Sequence, residues 1–272
     1  MPEQPYVLLT GDPAEARLEI VDSVHGPHTQ AFLTKAGLLP GMNVAELGCG
    51  VGLVTERIAR TVGKPGHVIA LDASHKQTVA AARRLKTRCV TNVEFVTADA
   101  GATGLDEDSF DFVYCRFLLM HMHQPEVALA EMLRILKPCG ILAVEDGDFS
   151  SPFCWPASRD FNRAFELYVT AGESCGADFL IGQRLFQLVA NMGLQHISIE
   201  TVQPVCVDAE ECSLVSSTLN ECRDTLLKHN LATRKEIDET IVNVNRAAMS
   251  GLTVFGMARM TQVSGRKPQK EG

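Results

Sequence analysis

Asn43-Val44-Ala45-Glu46-Leu47-Gly48-Cys49-Gly50-Val51-Gly52 is the stretch that decides how this chain is read. Val44, Ala45 and Leu47 form a short apolar run suited to a strand covered on both faces, and the chain resumes after Gly52 with helical spacing at Val54, Ile58 and Val62. Three glycines alternate with Cys49 and Val51 between the two. A residue without Cβ takes positive φ and lets main chain approach a ligand, so glycines between strand and helix mark a place where a ligand lies against backbone. An ordinary tight turn is the other reading of the same glycines.

The charges around the turn narrow the ligand. No Lys-Ser/Thr follows the glycines, and their spacing is G-x-G-x-G, where a dinucleotide fingerprint is G-x-G-x-x-G. Glu46 precedes Gly48, Asp72 ends the strand-like run Val68-Ile69-Ala70-Leu71, and Asp99 ends the run from Val93 to Ala98. Asp72 falls roughly 20 residues after the last glycine, where a ribose-binding acid is expected. Three acids on successive strand ends suit a ligand with ribose hydroxyls, an exocyclic amine and a positive charge, and they repel a pyrophosphate. S-adenosylmethionine combines these features.

The ordered segments 44–52, 69–74, 93–100, 110–121 and 136–146 resemble the motifs of class I S-adenosylmethionine-dependent methyltransferases, in the small-molecule branch related to the quinone-biosynthesis C-methyltransferases. The resemblance is firm over residues 40 to 150 and looser at 181–185 and 254–256. It implies a doubly wound α/β fold, with a mostly parallel seven-stranded sheet, its last strand antiparallel, and a helical lid. It also implies contacts from Glu46, Gly48, Cys49 and Gly50 to the methionine end of the cofactor, from Asp72 to the ribose, and from Ala73, Asp99 and Ala100 to the adenine. Cys115 or Arg116 then meets the amino or carboxylate end.

The chain has 272 residues, 46% hydrophobic, with a formal charge of −8. That length and composition allow one large domain, and the acidic balance argues against broad gripping of nucleic-acid backbone. Nine scattered cysteines without a C-x-x-C pair read as reduced, mostly buried hydrophobes. No stretch approaches the roughly 18 apolar residues of a membrane span, and the expectation is a cytoplasmic enzyme, with a homodimer left open.

Residues 1–40 are expected to form a helical segment, Ala14 to Val24, a break at Gly26-Pro27, and a second helix from Thr29 to Ala36, with Arg17, Glu19 and Asp22 in solvent and Tyr6 and His28 near the cofactor. Residues 41–150 form the cofactor-binding core. Residues 151–178 and 208–250 leave from the sheet's carboxyl edge as lid insertions over the acceptor pocket. Leu252 to Val263 reads as the last strand and 265–272 as a disordered tail.

Methyl transfer from a sulfonium needs nucleophile, carbon and sulfur in line, and a dry, aligned pocket supplies much of the rate. A base is needed for hydroxyl or carbon acceptors and not for every amine. The candidates are His121, just past the fourth strand, and Glu145 and Asp148 at the end of the fifth. Arg116 serves a ligand or pairs with a structural acid. His121-Met122-His123 is a poor metal site, since the residues around it are apolar, and no metal is expected. Phe153, Trp155, Phe161 and Tyr168 form an aromatic wall or plain core. The expected acceptor is a small, apolar or aromatic metabolite methylated on O, N or C. A protein or RNA methyltransferase, a non-catalytic nucleoside-binding module and an NAD-linked oxidoreductase are the alternatives.

Overall fold

The computed structural model describes residues 7–269. Ten strands and nine α-helices alternate along it. Helix α1 spans Asp12–Ala36; β1 Asn43–Leu47, α2 Leu53–Val62, β2 His67–Asp72, α3 His75–Thr87 and β3 Val93–Thr97 follow. Then come β4 Phe110–Arg116, α4 Pro125–Ile135, β5 Leu136–Asp148, β6 Phe153–Trp155 and α5 Arg159–Ser174. The chain closes with α6 Leu185–Ala190, β7 Gln195–Val202, β8 Val205–Cys206, α7 Ala209–Glu221, α8 Arg223–Lys228, α9 Arg234–Ala248, β9 Val254–Gly256 and β10 Arg259–Arg266.

Seven strands make one sheet in the order β3-β2-β1-β4-β5-β10-β7, parallel except for β10, which runs antiparallel to both neighbours. Strand order reverses beside β1, so the carboxyl ends of β1, β2 and β4 open onto one crevice. Strands buried on both faces read as continuous apolar runs, as Val44 to Leu47 and Phe112 to Cys115 do. Val54, Ile58 and Val62 of α2 bury their stripe against the sheet with Phe112, Tyr114 and Ala143.

Several expectations need correction. The N-terminal segment is a single helix running through Pro27. A proline inside a helix costs about 3 kcal/mol, and tertiary ties on either side offset that here. Asp22 binds Arg57 (2.6 Å) and Arg116 (3.5 Å) before the proline, and Thr29 donates to Glu145 (2.6 Å) after it. Gly26 makes the first tie fit, because a Cβ there would lie 2.5 Å from Arg57 Nη2 and 2.8 Å from Asp22 Oδ1. Arg17 and Asp22 are therefore buried, Arg17 against Glu221 of α7 (2.8 Å), while Glu19 stays exposed and meets Arg84 (2.7 Å).

The stretch expected as one last strand is two, β9 in a small sheet of order β6-β9-β8 and β10 in the main sheet. Gly265 and Arg266 belong to β10, not to a disordered tail, and Lys267 binds Asp108 (2.8 Å). Tyr6 and residues 270–272 lie outside the described residues. All nine cysteines are free, and among the described residues no helix is long and apolar enough to cross a membrane.

Glu145, in the middle of the sheet, is 1% exposed and accepts from Thr29 Oγ1 (2.6 Å), Gln262 Nε2 (2.6 Å) and the Tyr114 hydroxyl. Removing the acceptor strands three buried donors, so Glu145→Ala is expected to lower stability by about 3 kcal/mol in urea unfolding. A loss under about 1 kcal/mol would show that the three bonds do not hold the helix to the sheet.

Candidate functional site

The glycine turn after β1 is fixed from β2. Leu71 O accepts from Gly48 N (2.7 Å) and Cys49 N (2.9 Å), and the two Asp72 carboxylate oxygens accept from Gly50 N and Ser74 N, each at 2.9 Å. Gly48, Gly50 and Gly52 have φ of +76°, +53° and +80°, conformations that L side chains rarely take. A Cβ at Gly50 would meet nothing within 4 Å, so the main chain stands open to the space beside it.

That space is a cavity of about 1370 Å³ along the carboxyl edge of the sheet. Glu46, Gly48, Cys49 and Gly50 line it at the turn, Asp72 and Ala73 after β2, Asp99 and Ala100 after β3, and Arg116 at the end of β4. Cys115 does not, because its side chain points into the apolar core and is 1% exposed. Arg116 is not free: it donates to Thr29 Oγ1 (3.0 Å) and pairs with Asp22.

Glu46 is the unusual group. One carboxylate oxygen accepts from Thr55 Oγ1 at 2.5 Å, and the other has no hydrogen bond among the described residues. Burial pushes its pKa up from 4.5 to about 7, against the opposing pull of Thr55 and Arg116. Burial also raises Asp72, offset by its two backbone donors. Asp99 accepts from Gly101 N (2.7 Å) and is exposed on the cavity rim.

The far end of the cavity is apolar. Phe117 and Phe149 follow β4 and β5, Phe165 and Tyr168 come from α5, and Leu214 and Val215 from α7. Phe149 meets Tyr168 edge-on with centroids 5.1 Å apart and lies 6.3 Å from Phe117. Phe117 has a φ of +51°, rare for a bulky residue and a mark of backbone held by its surroundings. Its N–H donates to Glu145 O (3.1 Å). Phe153 and Trp155, expected in the wall, stand instead on the outer face of the small sheet, and Phe161 is core.

Of the three catalytic candidates, only His121 lines the cavity. Its ring is edge-on to Phe179 at 5.4 Å, and burial, then Arg17, lowers its pKa to about 3, so it is neutral. Glu145 is filled by the three donors described above. Asp148 accepts from Ser150, Gln183 (3.1 Å) and Arg259 (3.2 Å), and it does not line the cavity either. Both acids are corrected to structural roles: neither lines the cavity, and donors surround each of them. Asp146 lies between them in β5. It accepts from Met120 N (3.1 Å) and holds the 3₁₀ turn Leu119–His121, and burial raises its pKa to about 7. Arg17, His25, Phe117, Phe149 and Met257 also line the cavity without a sequence signal that separates them from core. Among the described residues no group of three His, Cys, Asp or Glu side chains is placed to hold a metal.

A family profile described as "Methyltransferase domain" matches residues 45–144. The ubiquinone/menaquinone biosynthesis C-methyltransferase UbiE of Yersinia pestis is 30% identical over 176 residues, 64% of this chain and 68% of that protein. The chain belongs to the class I S-adenosylmethionine-dependent methyltransferases. It spans about half to two thirds of the length of the curated relatives it matches, 55% and 66% for UbiE proteins of two Vibrio species. Among solved structures, the YcgJ protein of Bacillus subtilis shares the fold, with a TM-score of 0.60 and 17% identity over 90% of this chain and 99% of that one. So does phosphoethanolamine N-methyltransferase 2 of Haemonchus contortus, solved with phosphomonomethylethanolamine and S-adenosylhomocysteine, with a TM-score of 0.56 and 17% identity over 88% of this chain and 52% of that one.

S-adenosylmethionine is the cofactor of this family, and the residues at the turn fit it. Gly50 exposes main chain, Asp72 has lone pairs left beyond its two backbone bonds, and the unpaired Glu46 oxygen suits an ammonium group.

Glu46 keeps its proton longer in the folded chain than in the unfolded one. The stability this gives is fully present below about pH 4.5 and is lost as pH rises through about 7. Replacing it by neutral glutamine removes the slope, so melting of the ligand-free protein should show Glu46→Gln gaining on the wild type between pH 4.5 and 7.5, by on the order of 3 kcal/mol. Parallel curves would mean that Glu46 is not raised.

Proposed function

We propose that this protein transfers a methyl group from S-adenosylmethionine to a small, apolar or aromatic acceptor. The observation that carries the reading is one continuous cavity with two chemistries, carboxylates and open backbone at the glycine turn and aromatic rings beyond. Its volume of about 1370 Å³ exceeds that of most single-ligand sites, which hold roughly 300–1,000 Å³, and leaves room for cofactor and acceptor together.

Bound there, the cofactor supplies an electrophilic methyl group on a positively charged sulfur. Glu46 and the glycine turn hold the amino-acid end, Asp72 takes the ribose hydroxyls, and Asp99 with Ala73 and Ala100 lies at the adenine. Arg116 lies between that end and the aromatic rings. Phe117, Phe149, Phe165 and Tyr168 exclude water and fix the acceptor's angle of approach, and alignment in a dry pocket is where this reaction gains its rate. His121 is the one catalytic candidate in the cavity wall, and the burial that holds its pKa down to about 3 makes it a weak base for a hydroxyl or carbon acceptor.

Relatives named for C-methylation in ubiquinone and menaquinone biosynthesis favour carbon as the acceptor atom. The family profile ends at residue 144, however, and the acceptor wall from Phe149 onward lies beyond it. The acceptor is therefore set in part by segments that the profile does not describe.

Calorimetric titration tests the cofactor assignment: Asp72→Ala should bind S-adenosylmethionine at least about tenfold more weakly than wild type, the worth of one or two lost hydrogen bonds to a carboxylate. S-adenosylmethionine and S-adenosylhomocysteine should raise the melting temperature while NADH and ATP do not. Unchanged affinity in the variant would remove Asp72 from the site, and a shift with NADH alone would overturn the methyltransferase reading.

A further inference from the structure

His25 of α1 lines the cavity, is 5% exposed, and makes no hydrogen bond at either ring nitrogen among the described residues. Its Nδ1 is sealed from water without a partner. Among the described residues the two other buried side-chain nitrogens in that condition, Nε of Arg17 and of Arg84, belong to guanidinium groups that have a carboxylate within 2.8 Å. A buried polar group left unpaired is costly and rare in native proteins; Nε2, unpartnered but not sealed, is the ring nitrogen that can meet what the cavity holds.

The ring's surroundings say where in the cavity it acts. It stands edge-on to Phe117, centroids 5.2 Å apart at 84°, which fixes its plane at the first ring of the aromatic wall. Arg116, on the cofactor side, and His28 are the charged or titratable groups acting on it. Burial first, then those two, hold the imidazole down to about 3, so near neutral pH it carries one N–H and one lone pair. Such a ring can donate or accept at Nε2, according to its tautomer, beside the carbon faces of Phe117 and Phe149.

We propose that His25 is the specificity-determining contact for the methyl acceptor, hydrogen-bonding a hydroxyl or amine carried on an aromatic frame stacked along Phe117 and Phe149. This rests on the methyltransferase reading above and adds to it the chemical class of the acceptor. A site built to pair a polar hydrogen discriminates strongly against the analogue that lacks it, because its own buried group is then left bare. His25 thus selects a hydroxy- or amino-aromatic compound over the bare hydrocarbon, and it leaves proton removal to another group.

The test uses the whole protein saturated with S-adenosylhomocysteine and titrated with 1-naphthol, 1-naphthylamine and naphthalene. Wild type should bind the first two about tenfold more tightly than naphthalene. His25→Phe should bind all three alike, with S-adenosylhomocysteine affinity within about twofold of wild type, and His25→Gln should recover part of the preference. His25→Leu carries the same comparison if the phenylalanine variant does not fold. The proposal is overturned if wild type shows no preference or binds none of the probes. It is also overturned if the preference survives in His25→Phe, or if S-adenosylhomocysteine affinity falls in parallel, which would make His25 a cofactor contact. Failure of wild type to bind S-adenosylhomocysteine would instead sink the methyltransferase reading, and the same three probes, titrated without it, still decide the role of His25.

Discussion

A carboxylate with almost no exposure must be answered by donors, and at Glu145 three different elements supply them. Tyr114 comes from the neighbouring strand β4, Gln262 from β10 on the other side, and Thr29 from α1, which packs on β5 and β10. Thr29 in turn accepts from Arg116, and Arg116 shares Asp22 with Arg57. One chain of polar contacts therefore runs from the middle of the sheet through α1 to α2. It holds α1 helical through Pro27 and fixes the helix that carries Arg17 and His25 against the cavity. Without it, a helix with little apolar periodicity and a proline in its middle would rest on its contacts with α7 and α3.

The same chemistry separates the structural carboxylates from the ligand-directed ones. Glu145 and Glu46 are both glutamates near the ends of central parallel strands, and both are almost fully buried. Glu145 has three donors to its two oxygens, whereas Glu46 has one, from Thr55, and an oxygen left over beside an open glycine turn. Buried carboxylates that are not fully answered drift upward in pKa, as Glu46 does, and stay poised to ionise when a cation arrives. Partner count, more than position in a motif, decides which acid belongs to the site.

That distinction marks the limit of what the amino-acid pattern made legible. Glycine spacing, apolar runs and the acids ending β1 to β3 are local properties, and from them the parallel core and the acids around the glycine turn could be read, while the antiparallel final strand came from the family resemblance alone. Pairing between distant residues is not local. Nothing in the sequence around Glu145 and Asp148 announces that Thr29, Gln262, Gln183 and Arg259 will surround them, so acids at a strand end looked catalytic. Pro27 looked like a break for the same reason, since the anchors that override it lie at Arg57, Arg116 and Glu145. The two-part division of the stretch from 252 to 266 was hidden because only Met257 and Ala258 separate β9 from β10, which are told apart by the sheets that receive them.

Specificity for the acceptor is harder to read again, because its wall is assembled from five places at once. Phe117 and Phe149 stand one residue past the ends of β4 and β5, α5 and α7 supply the opposite side, and α1 supplies His25. The first of these is tied to the structural hub itself, since the Phe117 N–H is bound by the Glu145 carbonyl and the residue is held at positive φ. Strain of that kind persists only where the surroundings over-determine it, and here it turns an aromatic ring into the cavity that would otherwise continue the line of the strand. The interaction that fastens α1 to the sheet thus also aims the first ring of the acceptor wall, and the imidazole edge-on to that ring is carried by the helix so fastened. Stability and acceptor geometry share one set of contacts, so the polar network cannot drift in sequence without moving the pocket.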